Sequence, residues 1–136
     1  MITSSRWTPQ RWLPALGFGI AAVIHLAPLP GLLGSTMLQR LYGLDIVEPN
    51  LLLLMRHRAV LFGVLGIGLL LAIRWPAWRR PMWLAGLSSA GAFLLLALDG
   101  GYNAALQRVL SADVVAVLAL IAIAPWVWRR DRAAAT

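Results

Sequence analysis

The side chains of this chain that could do chemistry are a few titratable groups set inside long apolar runs. There are two histidines, His25 and His57, and no cysteine. His57 lies between Arg56 and Arg58 in the apolar stretch 51–62. A charged side chain at the centre of a membrane costs roughly 3 kcal/mol or more, so such groups usually face a protein interior, meet a partner or reach the headgroups. These residues therefore need a structural or functional reason.

We expect other helices to bring further polar groups to the depth of His57, forming one polar layer near the outer membrane face. At a rise of about 1.5 Å per residue, the four groups His25, His57, Asp99 and Asp113 lie about 21 to 28 Å from the cytoplasmic arginines of their own segments. The hydrocarbon core is about 30 Å thick, so this depth is its outer third or its edge. The members of this predicted polar layer are His25, Arg56, His57, Arg58, Asp99, Tyr102, Asn103 and Asp113.

Asp113 is the strongest candidate for an inward-facing acid, because residues 114–125 carry no charge. Arg56 or Arg58 would be the simplest partner to neutralise it. Successive residues of a helix are separated by about 100°, so Arg56, His57 and Arg58 cannot all face inward. The sequence alone leaves open which of the three does.

Several interpretations of the polar layer stay open. It can lock helices together, hold a partner helix, or form a pocket for an amphiphilic ligand such as a lipid or a quinone. We prefer such an accessory or binding role to catalysis, and no cofactor is required by the sequence. The alternative is a membrane enzyme, or a haem or quinone electron carrier, that uses His25, His57 and Asp113. In one form of this alternative, both histidines ligate a haem b.

No residue is identified as catalytic. The chain has no G-x-S-x-G, no H-E-x-x-H and no P-loop, and the absence of cysteine excludes thiolate metal sites. A metal site built from both histidines with Asp99 or Asp113 is a weaker possibility on spacing alone. We therefore predict no metal site.

Composition indicates a membrane protein. The 136 residues are 60% hydrophobic and 12% charged, whereas soluble domains are nearer half apolar and a quarter charged. That length accommodates about four spans of roughly 20 residues in one domain, 1–136. All 12 basic residues are arginine, which suggests a GC-rich bacterial genome. They lie at segment ends without interleaved exposed aromatics, so the sequence pI near 11.7 does not indicate nucleic-acid binding.

The elements that must position these groups can be placed along the chain. We expect an all-α, polytopic membrane protein with four transmembrane helices in an antiparallel bundle, at about 13–29, 51–74, 82–98 and 104–127. Between the first two spans, Met37, Leu38, Leu41 and Tyr42 form one apolar stripe, which predicts a short amphipathic surface helix. Ser35 is expected to cap that helix, Gly43 to end it, and Asn103 to cap the last span.

Charge predicts the topology. The segments assigned to the cytoplasm hold eight arginines and one aspartate, whereas the outer half holds four arginines and four acidic residues. The whole net charge of +7 thus lies on one side, as the positive-inside rule requires when both termini are cytoplasmic. We expect a multi-pass protein of the bacterial inner (cytoplasmic) membrane, with the lipid bilayer and a partner membrane protein or second copy as partners.

Three runs resemble a known group of proteins: QRLYGLD (39–45), LLLLMRHRAVLFGVLG (51–66) and GGYNAALQRVLSADVVAV (100–117). The group comprises small, uncharacterised bacterial four-helix integral membrane proteins, sometimes labelled phosphopantetheine adenylyltransferase. The resemblance implies a fold and no function. The sequence does not support the label, because such an enzyme would be soluble, α/β and carry an H-x-G-H motif. A looser likeness to the DoxX-like and sterol-isomerase-like membrane families is an analogy of fold.

Overall fold

The structure is a computed structural model that describes residues 9–129, and every regular element within those residues is a helix. In chain order the elements are α1 (Pro9–Leu26), a 3₁₀ turn (Leu29–Leu33), α2 (Ser35–Tyr42), α3 (Pro49–Arg74), a second 3₁₀ turn (Pro76–Trp78), α4 (Arg79–Leu96) and α5 (Ala104–Val127). The all-α class is confirmed. Arg6, Arg130 and Arg132 of the predicted cytoplasmic segments lie outside the described residues.

Local capping chemistry fixes several helix ends. The Asn103 side chain accepts a hydrogen bond from the Leu106 N–H at 2.8 Å and so caps α5, as predicted. Gly43 ends α2 in the left-handed region, with φ of 66°, which glycine adopts without a steric penalty. The prediction that Ser35 caps α2 is wrong: Ser35 is the first helical residue, and Gly34 precedes it without a side-chain cap.

Three helical segments are long and apolar enough to cross a membrane: Trp12–Leu33, Pro49–Arg74 and Ala104–Val127. The predicted fourth span, at about 82–98, is not among them. The α4 helix that occupies this region has 18 residues, as α1 does, but its mean hydropathy is too low. It begins with Arg79, Arg80 and Pro81 and contains Gly86, Ser88, Ser89 and Gly91, so no full-length apolar segment remains.

The long helices pack in neighbouring pairs. α1 packs against α3 and α5, and α4 packs against the same two helices. At Gly66 of α3 an added Cβ would lie 2.6 Å from a Leu26 side-chain carbon and 3.2 Å from its backbone nitrogen. Glycine therefore lets α1 and α3 approach almost to backbone contact, as small residues do between membrane helices.

Two buried clusters form the core. The larger one joins α1, α3 and α5 through Phe18, Ala21, Ala22, Leu69, Ala72, Leu120, Ile123 and Val127. The smaller one, Leu38, Tyr42 and Ile46, packs α2 and the following segment over Leu52 and Met55 of α3 and Leu106 and Val109 of α5. The short helix predicted between the first two spans thus lies across the ends of α3 and α5, and its apolar stripe faces the protein.

Candidate functional site

The buried faces of α1 and α5 each end in a polar residue. On α5, Asp113 continues the buried positions Ala116, Leu120, Ile123 and Val127, and its side chain is only 7% exposed. On α1, His25 follows Phe18, Ala21 and Ala22 on the same face and is 1% exposed. The apolar core is therefore closed at one end by a histidine and an acid.

The packing of α1 on α5 puts these two residues at matching levels. Gly17 of α1 faces the Ala119 carbonyl and the Ile123 side chain of α5. His25 lies eight residues after Gly17 on α1. On α5, Asp113 lies six residues before Ala119 and ten residues before Ile123. Both steps lead toward the same part of α3, because His25 lies beside Phe62, Phe62 contacts Arg58, and the charge of Arg58 acts on Asp113.

His25 has one satisfied and one unsatisfied ring nitrogen. Its Nδ1 lies 2.8 Å from the Ala21 carbonyl oxygen, an acceptor, so Nδ1 must carry a proton and donate it. The Nε2 atom is buried and has no hydrogen-bond partner. The ring centroid lies 5.8 Å from that of Phe62 on α3, so an aromatic side chain covers the imidazole on that side.

Arg58 lies in a cage of three aromatic rings. Its guanidinium carbon is 5.0 Å from the Phe62 ring centre, 5.3 Å from that of Phe93 on α4 and 5.8 Å from that of Tyr42 on α2. Each cation–π contact contributes about 0.5–1 kcal/mol when exposed and about 2 kcal/mol when desolvated. Aromatic faces therefore stabilise this half-buried cation without forming a hydrogen bond.

Tyr42 lies in the electric fields of both charged residues of the site. Burial raises the pKa of its phenol, the positive charge of Arg58 opposes that rise, and the negative charge of Asp113 adds to it. Asn103 holds this part of α2 in place, because its side-chain nitrogen donates to the Tyr42 carbonyl oxygen at 3.0 Å. This hydrogen bond joins the loop before α5 to the end of α2, whose Tyr42 ring contacts Arg58.

Asp113 has no direct ion pair with either predicted partner. None of the hydrogen bonds found within residues 9–129 reaches its carboxylate. Arg58 is close enough to act on it electrostatically. Arg56 is exposed and donates to the Leu32 carbonyl oxygen at 2.9 Å, so it points to the 3₁₀ turn and not to α5.

A cavity of about 470 Å³ opens beside Arg58, between α3, α4 and α5. Its wall is mostly apolar, and Arg58, Ser89 and Tyr102 supply the polar side chains. The other lining residues are Phe62, Ala92, Phe93, Leu96, Ala97, Leu106 and Leu110. An apolar cavity with a few convergent polar groups is the usual form of a small-molecule site, and its volume lies within the common range of about 300–1,000 Å³.

The structure divides the predicted polar layer into two groups. Arg58 and Tyr102 line the cavity, Asn103 holds the neighbouring loop, and His25 and Asp113 are buried close by. The remaining members, Arg56, His57 and Asp99, are exposed. The turn of about 100° between neighbouring helical residues explains why Arg58 faces inward while the two residues before it do not.

The two histidines do not share one site. His25 is buried on α1, whereas His57 is exposed on α3, so their imidazoles do not face each other across the space that a bis-histidine haem would need. Within residues 9–129, no three histidine or acidic side chains lie close enough together to hold a metal ion. The haem arrangement considered from the sequence is therefore not supported by this geometry.

Sequence reasoning missed the aromatic part of the site. The sequence places Tyr42 in the apolar stripe of α2 and Ser89 among the small contact positions of the third span, and it predicts no role for Phe62 or Phe93. One signal was available: Phe62 follows Arg58 by four residues and so lies on the same helical face. No comparable signal marks Phe93 or Ser89, which reach the site through the packing of α4.

Comparison of the chain with models of known protein families, with curated proteins and with solved structures gives no match.

Proposed function

We propose that this protein binds an anionic amphiphile, such as a fatty acid or an acidic lipid, in the cavity between α3, α4 and α5. The observation that carries this proposal is the single cation, Arg58, at one boundary of a largely apolar cavity. An acyl chain would fit the apolar wall, and a carboxylate or phosphate would meet the guanidinium, whose planar donors match such oxyanions.

The surroundings of Arg58 support an anionic ligand over a neutral one such as a quinone. Its guanidinium contacts three aromatic rings, and no acidic side chain within residues 9–129 accepts a hydrogen bond from it. Tyr102 and Ser89 add hydroxyl groups to the same cavity. A binding role also fits the site better than catalysis by His25 and His57 together, because His25 is buried whereas His57 is exposed.

A cavity-filling substitution tests this proposal. Ala92 is exposed on α4 and lines the cavity. We expect Ala92→Phe to reduce oleate binding at least tenfold, because the added ring occupies the volume that an acyl chain needs. Ala122→Phe, which places the same ring on an exposed position of α5 outside the cavity, should leave binding unchanged.

Binding can be measured by displacement of a fluorescent fatty acid from the protein in neutral detergent, with the melting temperature of each variant recorded. Oleyl alcohol and decylubiquinone serve as uncharged probes. Undiminished oleate binding in Ala92→Phe would exclude this cavity as the site. Tighter binding of the quinone than of oleate would show that the cavity prefers a neutral quinone, and the anionic assignment would then be wrong.

We also propose that α4 crosses the membrane together with the three more apolar helices, in an antiparallel four-helix bundle with both termini in the cytoplasm. The contacts of α4 support this arrangement: near its start Trp83 donates to the Leu120 carbonyl of α5 at 2.7 Å, and near its end Phe93 contacts Arg58 of α3. The positive-inside charge distribution supports the orientation in a bacterial inner membrane. The resemblance to small bacterial four-helix membrane proteins is consistent with the same proposal.

The absence of cysteine makes this topology directly testable. Leu98→Cys places a thiol in the exposed α4–α5 turn, and Ala77→Cys places one in the exposed α3–α4 turn. We expect a membrane-impermeant maleimide added to intact spheroplasts to label only the Leu98→Cys variant, and both variants after permeabilisation. Labelling of both turns from the same side would show that α4 does not cross.

A further inference from the structure

A second cavity, of about 310 Å³, lies at the opposite end of the helices from Arg58. It is formed by the α3–α4 connection and the end of α5, and three arginines line it: Arg79, Arg80 and Arg129. Trp126 contributes an aromatic wall. Nothing in the proposed function uses this cavity.

Two of these arginines are oriented by carbonyl groups at helix ends. Arg79 Nε donates to the Ala72 carbonyl near the end of α3, and Arg80 Nε donates to the Val127 carbonyl at the end of α5, both at 3.4 Å. The Arg80 guanidinium also lies 5.3 Å from the Trp128 ring centre. A guanidinium has five N–H donors, so these contacts orient each guanidinium group and leave other N–H donors available to a ligand.

The three positive charges have no acidic neighbour in the described part of the chain. The acidic side chains in residues 9–129 are Asp45, Glu48, Asp99 and Asp113. All four belong to the ends of α3, α4 and α5 that lie near Arg58, on the far side of the core. A concave site with clustered arginines and no carboxylate among residues 9–129 is complementary to an anion.

Tryptophans place this cavity at the depth of lipid headgroups. Trp75, Trp78 and Trp128 are exposed around it, and Trp12 is exposed at the same end of α1. Tryptophan is enriched where a membrane protein meets the interface between hydrocarbon and water. Basic pockets between membrane helices at the cytoplasmic interface bind phosphate-bearing headgroups.

We infer that this second cavity binds the phosphate-bearing headgroup of an anionic phospholipid, with Arg79 and Arg129 as the principal ligands of the phosphate and Arg80 as a cation fixed beside it. The site is separate from the amphiphile cavity and does not depend on it. Its occupant would attach the α3–α4 connection and the end of α5 to one leaflet.

Native mass spectrometry in neutral detergent tests this inference with palmitoyl-oleoyl phosphatidylglycerol as the probe and phosphatidylcholine of the same chains as the comparison. We expect the first phosphatidylglycerol to bind at least tenfold more tightly than phosphatidylcholine. The double variant Arg79→Gln/Arg129→Gln should weaken that binding about 10- to 30-fold, because each arginine near the lipid surface adds to the affinity for an anionic headgroup.

Two matched variants separate a built site from bulk charge. Arg74→Gln removes one charge at the same end from an exposed residue that does not line the cavity, and it should change binding less than twofold. Arg79→Lys keeps the charge but loses the donors oriented by the Ala72 carbonyl, so it should weaken binding about threefold, and full retention would point to bulk charge even if the double variant folds poorly. Equal binding of both lipids, or an equal loss in Arg74→Gln, would overturn the inference. Displacement of phosphatidylglycerol by equimolar inorganic phosphate would assign the cavity to a soluble anion and overturn the lipid assignment.

Discussion

Arg58→Gln is expected to weaken oleate binding about 30-fold and to leave oleyl alcohol binding within about twofold. A hydrogen bond between charged groups contributes about 1.5–3 kcal/mol, and about 2 kcal/mol corresponds to a 30-fold change in the dissociation constant. The two probes share one acyl chain and differ in the headgroup. The difference between them therefore isolates the contribution of the cation from that of the apolar wall.

The neighbouring arginine is the control for this experiment. Arg56 lies two residues away on α3, is exposed and donates to the Leu32 carbonyl, so Arg56→Gln removes the same charge without changing the cavity. We expect it to leave the ratio of oleate to oleyl alcohol affinity unchanged. A parallel drop in both Arg→Gln variants would mean that oleate responds only to net charge, and the proposed headgroup site would then be wrong.

Arg58→Gln should also lower the free energy of unfolding by about 1–2 kcal/mol. The three aromatic contacts of the guanidinium are lost, and the packing of α2 and α4 against α3 loses a shared side chain. Thermal unfolding without ligand measures this effect. Since the affinity ratio compares two probes on the same protein, a loss of stability does not obscure the binding result.

Asp113→Leu is expected to raise the free energy of unfolding by about 1–4 kcal/mol. Replacement of a buried ion pair by well-packed apolar residues is often neutral or stabilises a protein by about 1–4 kcal/mol, because the cost of burying the charges is removed. Asp113 bears that cost without an ion-pair contact, so its removal alone should have the same sign. At this position leucine would extend the buried face formed by Ala116, Leu120 and Ile123. The positive charge that remains, Arg58, is half-buried among aromatic rings beside an open cavity, so it is not left buried without a partner.

The same substitution should tighten oleate binding by a few-fold, since it removes a negative charge whose field reaches Arg58. Asp99→Leu provides the control: Asp99 is exposed in the α4–α5 turn, so both stability and affinity should stay nearly constant. The opposite result, a destabilised Asp113→Leu protein with unchanged oleate binding, would indicate that Asp113 and Arg58 lock the helices together. That outcome would favour the structural interpretation of the polar layer over the ligand site.

Much of the helical framework follows from local sequence. Hydrophobic runs of about 20 residues require helices in a membrane, because every backbone polar group must be paired within its own segment. Asn103 begins α5 and Gly43 ends α2 through contacts with residues a few positions away, so these roles can be predicted without tertiary information. The predicted fourth apolar span is not found at α4, because its small residues and arginines lower its hydropathy, and only its neighbours reveal how it packs.

The sequence by itself determined the helical class, three apolar spans, and which titratable residues required an explanation. Tertiary structure decided the roles of those residues. Arg58 faces the cavity and Arg56 does not, although both have the same side chain and nearly the same neighbours along the chain. The aromatic cage draws one ring from each of α2, α3 and α4. A contact between distant segments depends on the depth and rotation at which whole helices pack, and these are set by the summed fit of many side chains.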